Sequence, residues 1–142
     1  MQLCLYRSKM LIEGCIHSVN AHNPLVAYLS IRAHFEVTGL LAYYLKKQKD
    51  CYSLKISPDE LYQTIDKLLV SGKTKELKEL NAPDPVHVMK YIKFADSLTN
   101  EYLGDKSPFF GRVYDLLSEY CHPNYMGIFM YQEEQTVNAT LT

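Results

Sequence analysis

Apolar side chains recur along most of this chain at spacings of three and four, the period of helices packed on one face. Over residues 2–20, Leu5, Ile12, Ile16 and Val19 share a face, with Leu11 and Cys15 beside it. Residues 20–23 read as a turn. From Pro24 to about Lys49 the apolar positions run almost all the way round, as in a helix surrounded by others. Further stripes follow at Leu61, Ile65, Leu68 and Leu69, then at Val88, Ile92, Ala95, Leu98 and Tyr102. The last is Phe109, Val113, Leu116, Leu117 and Tyr120. A short helical piece fits around residues 74–80. Beyond Pro123, Tyr125 to Tyr131 is apolar and suits a short strand or an extended segment over the helices. Residues 132–142 are polar and aperiodic, a tail expected to fray. The pattern predicts an all-α, up-and-down bundle of about five helices, with a long central second helix and one domain over residues 1–131.

Proline sharpens the boundaries. Four of the six prolines follow a residue suited to cap a helix: Asn23-Pro24, Ser57-Pro58, Asp84-Pro85 and Ser107-Pro108. Proline fits the first helical position, because its missing N–H would lack a partner there. The preceding side chain can accept from the exposed N–H groups of the first turn. Ser57-Pro58-Asp59-Glu60 extends this to a capping box, with Ile56 and Leu61 as a hydrophobic staple. Gly72 and Gly104 are placed to end the helices before them.

Composition adds bounds rather than identity. Apolar residues make up 47% and charged residues 22%, ordinary for a globular chain. No uninterrupted apolar run reaches the ~20 residues of a membrane span, and the start lacks the pattern of a signal peptide. The expectation is a cytoplasmic protein with no membrane partner. The four cysteines are scattered and unpaired in sequence, which suits reduced thiols. No ligand spacing typical of zinc occurs, and His17, His22, His34 and His87 show no i, i+4 pairing. Neither metal nor cofactor is expected. The net charge of −1 lacks the basic excess of a protein that grips nucleic acid mainly through phosphates. Lysine clusters at 46–49 and 73–78 leave local contact with RNA or a nucleotide open.

Two places could carry chemistry. Arg32 and Glu36 interrupt the stripe Leu25, Leu29, Arg32, Glu36, Leu40, Tyr43 at positions where opposite charges meet. Charges on a packed face need partners; the pair could simply dock the central helix, or Arg32 could bind phosphate or carboxylate. His122 stands before Pro123, which disfavours helix at the preceding residue. It fits either a helix-terminal histidine or a general acid/base. Helical spacing points it with Asp115 and Glu119, away from the apolar stripe, and puts Tyr114 and Ser118 on a flank. Convergence of Arg32, Glu36, Ser118 and His122 would make one site, with Tyr114 and Asn124 as further binding candidates.

Arg32-Ala33-His34-Phe35-Glu36 on an early long helix, paired with Tyr114-x-x-Leu117-Ser118-x-x-x-His122-Pro123 on the last, resembles the HEPN-like helical domains. The nearest likeness is to bacterial and phage-defence relatives with R-A-x-x-E and Y-x-x-L-S-x-x-x-H-P segments. The resemblance spans roughly residues 5–124 in layout. It implies a four- or five-helix bundle, often a homodimer, in a superfamily of metal-independent ribonucleases and non-catalytic binding members. The nuclease members carry arginine four to six residues before the histidine. Here Ser118 to Cys121 precede His122, Arg112 is farther back, and Arg32 could substitute only through tertiary contact. The reading is therefore a binding or regulatory module. The alternatives are a ribonuclease using His122 and Arg32, and a purely structural interaction domain suggested by Ile128 to Tyr131.

Overall fold

A computed structural model describes residues 1–104, 107–124 and 126–128. It is all α-helix: α1 (Gln2–Asn20), α2 (Pro24–Tyr52), α3 (Pro58–Leu69), the short α4 (Lys75–Glu79), α5 (Val88–Leu103) and α6 (Phe109–Cys121). The long α2 is the hub. It touches α1, α3, α5 and α6, while α5 and α6 also pack on each other. Its length and averaged apolar character meet the measure of a membrane span, which the contiguous-run criterion missed because Arg32 and Glu36 break the run. Here four helices occupy its sides instead.

The hydrophobic core belongs to three helices. Its most buried members are Ile92, Ala95, Tyr114 and Leu117, with Ala27 and Val37 from α2. Gly39 lets α2 approach α5 closely, since a Cβ there would lie 3.1 Å from the Tyr91 backbone. Tyr43 fills the space beside it, its ring 5.8 Å from Tyr91 and 5.9 Å from Phe94. Such tilted and edge-on aromatic pairs are favoured over flat stacking.

Two of the four proline-marked starts are as expected. Asn23 Oδ1 accepts from Val26 N–H at 3.2 Å, and Ser57 and Glu60 complete the capping box. The other two differ. Asp84-Pro85 opens no helix: Pro83 O accepts the Gly72 N–H at 3.3 Å, holding that stretch against the α3–α4 connection, and His87 caps α5 instead. Before α6, Ser107 does not cap; Asp96 reaches across from α5, accepting from Phe110 N–H at 2.6 Å and Gly111 N–H at 2.9 Å. Helix α3 ends at Leu69, before Gly72, where an added Cβ would collide with Leu77. Gly104 does end α5, with φ of +67°.

Three stripes face differently from expectation. On α1, Leu5, Ile12, Ile16 and Val19 are 47–59% exposed, while Ser18 is buried and Ser8 bonds to His34 Nδ1 at 2.8 Å. The small residues of α1 lie against α2, so the large ones are turned outward. On α6, Phe109 and Leu116 are about half exposed, and the inner face centres on Tyr114 and Leu117. Tyr102, near the end of α5, is exposed. Residues 126–128 form a helical turn closed by Ile128 N–H to Asn124 O at 3.0 Å. The rest of the segment expected to be extended, and the tail at 132–142, lie outside the described residues.

Candidate functional site

Arg32 and Glu36 stand one turn apart on α2, opposite the inner face of α6. The phenol of Tyr114 is the third member. Its ring is 4% exposed. Its hydroxyl donates to Glu36 Oε1 at 3.0 Å and accepts from Arg32 Nη2 at 3.2 Å. The Arg32 guanidinium also lies over the Tyr114 ring, 5.2 Å from its centroid. Arg32 Nε is 3.7 Å from Glu36 Oε1, near enough for attraction but too far for a hydrogen bond. That Nε is sealed from solvent and has no hydrogen-bond partner among the described residues. The Arg32 and Glu36 side chains keep 26% and 37% of their surface, so the cluster reaches the outside on one edge.

Packing on either side fixes this arrangement. Tyr28 of α2 lies 5.0 Å from Tyr120 of α6, and Phe35 lies 5.1 Å from Phe110, ring to ring. The polar cluster thus sits along a seam closed by two aromatic pairs. Cluster electrostatics follow from the same contacts. The Tyr114 hydrogen bond, with smaller help from Glu36 and Cys121, holds the guanidinium above its usual pKa against the opposing effect of burial. Burial pushes the Tyr114 phenol up; the bond to Glu36 adds to this and the Arg32 bond opposes it. At neutral pH the guanidinium is therefore charged and the phenol protonated. Both act as fixed hydrogen-bonding groups, not as an acid/base pair.

The other candidates do not join this cluster. Ser118 Oγ donates back to Tyr114 O at 2.8 Å, the local bond common for serine within a helix. His122 ends α6 in an extended conformation, as Pro123 requires, with its N–H bonded to Ser118 O at 3.1 Å. Its side chain is exposed and makes no hydrogen bond or ion pair with another described residue. Asn124 serves the turn that follows: Nδ2 donates to Glu119 Oε2 at 2.5 Å and Oδ1 accepts from Gly127 N–H at 3.0 Å. The structure brings Arg32, Glu36 and Tyr114 together and leaves Ser118, His122 and Asn124 in local roles along and beyond α6.

Tyr114 is more central than its expected place on a flank. A second stripe, Phe110, Tyr114, Leu117 and Cys121, is as regular as the one through Val113 and Leu116, and only its contacts with α2 distinguish them. Asp96 went unnoticed as well. Its signal is a carboxylate set within the Ile92–Ala95–Thr99 face. An apolar hollow of about 190 Å³ lies elsewhere, between Cys4, Leu40, Tyr44, Ile65 and Leu68. Among the described residues, no three His, Cys, Asp or Glu side chains gather to hold a metal ion. Comparison with family models, with curated proteins and with solved structures yields no match.

Proposed function

We propose that this chain is a cytoplasmic, HEPN-like binding or regulatory module that works as a homodimer and takes a phosphate group of RNA or a nucleotide at Arg32. The observation that carries the reading is a guanidinium held in place by Tyr114 and Glu36 yet partly exposed. Of its five N–H donors, the described contacts engage one, through Nη2. Arginine held in this way suits an oxyanion, because its planar fork can meet two oxygens at once with little ordering left to do. Glu36 limits the attraction and so favours a ligand that also presents a donor, such as a ribose hydroxyl, to the carboxylate. The alternative, a metal-independent ribonuclease, needs an acid/base, and His122 is the group suited to it. Its exposed ring is the feature in favour of that alternative.

Fluorescence anisotropy with labelled single-stranded RNA and with nucleotides tests the module, and cleavage of the same RNAs in chelator tests the enzyme. Binding without cleavage, weakened about tenfold or more in Arg32→Ala and unchanged in His122→Ala, is the expected outcome. Cleavage abolished by His122→Ala would transfer the assignment to the ribonuclease. If no RNA or nucleotide binds the folded wild-type chain, neither reading stands.

A further inference from the structure

The outward face of α1 is built to meet itself. Leu5, Ile12 and Val19 repeat every seventh residue along the helix, a spacing that presents a straight seam to a neighbouring helix. Ile16 widens the seam, and all four side chains are 47–59% exposed. The seam continues inward into two shallow hollows between α1 and α2. One has Ile12 and Ile16 in its wall, the other Val19 and Ala27, and Ile31 belongs to both. Monomeric chains seldom leave a contiguous run of aliphatic residues uncovered.

We infer that the occupant of this seam is α1 of a second copy, running antiparallel across a two-fold axis at Ile12. Two features of the helix point to a copy of itself. The seam is symmetric about its centre: reversing direction about Ile12 brings Leu5 onto Val19 of the other copy and Ile12 onto Ile12. Lys9 and Glu13 border the seam on one side, 3.6 Å apart within a chain and more than half exposed. In the antiparallel pair each Lys9 is offset from the Glu13 of the other copy by two residues, about 3 Å along the axis. That is within reach of a lysine side chain on the same side of the seam, so the rim charges are complementary twice over.

This deepens the homodimer part of the proposed function by naming its interface, and the measurement separates the two. Sedimentation velocity of the full chain over a dilution series should show a reversible dimer. Ile12→Asp sets two carboxylates against each other at the axis and should weaken it roughly a hundredfold. Leu80→Asp, at an exposed apolar residue away from the seam, should leave it unchanged. Lys9→Glu or Glu13→Lys alone should weaken the dimer, and the double exchange should restore it. Because the same exchanges also break and remake the Lys9–Glu13 pair within each chain, helicity by circular dichroism must stay at the wild-type level in all three variants. A wild-type chain monomeric throughout would overturn both the dimer and its interface. A dimer indifferent to Ile12→Asp and to the charge exchanges, with helicity intact by circular dichroism, would overturn this interface and leave the homodimer standing.

Discussion

The hydroxyl of Tyr114 is one atom on which two charges depend. It satisfies Glu36 and steadies Arg32, whose Nε already lacks a hydrogen bond. Tyr114→Phe keeps the ring under the guanidinium and the packing against α2, and removes only those two bonds. Because the cluster opens to water along one edge, the lost bonds can be partly replaced, and the expected cost is about 1–2 kcal/mol in urea unfolding. Alkaline pH should act on the same atom. Tyr114 and Tyr91 both have phenols pushed above their usual pKa, burial being the first cause in each. A raised native pKa means the unfolded chain releases its proton first. Stability is then complete below the unfolded value near 10 and falls as pH rises through the native ones. In Tyr114→Phe that alkaline loss should be shallower. An equally steep loss in the variant would show that other groups govern it.

At the scale of the element, the helix starts separate what the chain states locally from what it does not. Asn23 and Ser57 cap their own helices, so sequence neighbours suffice to place α2 and α3. Asp84-Pro85 has the same local signature but is overruled by the Gly72–Pro83 bond, and α6 is capped by a residue fourteen positions away. Neither could be read without tertiary contacts. The stripes failed for a related reason. Two of equal regularity run along α6, and on α1 the buried side is the one with small residues. Asp96 shows what such a distant cap contributes. It is buried and takes two backbone N–H groups at the positive end of α6. Asp96→Ala should cost about 2–3 kcal/mol, and Asp96→Asn less, since an amide oxygen can still accept one bond. Gly111 belongs to the same device, because a Cβ there would sit 3.0 Å from Asp96 Oδ2. Equal urea midpoints for Asp96→Ala and the wild type would remove the cap from this account.

Across the whole molecule, burial is uneven in a way that the all-α pattern does not disclose. Among the described residues, the buried hydrophobic side chains belong to α2, α5 and α6; α1 buries only Ser18, and α3 and α4 bury none. The outer helices have contacts with α2 alone or with no other helix, so their loss would leave the three-helix core in place. Opening free energy follows buried apolar contact, and a helix of α3's length is marginal once undocked. Native-state hydrogen exchange should therefore divide the chain. Amides in α5, α6 and the middle of α2 should exchange only with global unfolding, and those in α3 and α4 through local opening with little dependence on urea. Helix α1 is the informative case. With Ser18 as its one buried residue, it should exchange early in a dilute sample. If its outer seam is covered by a second copy, its protection should rise with protein concentration while that of α3 stays constant. Uniform protection across all six helices would contradict this division, and a concentration-independent α1 would argue that its seam remains open.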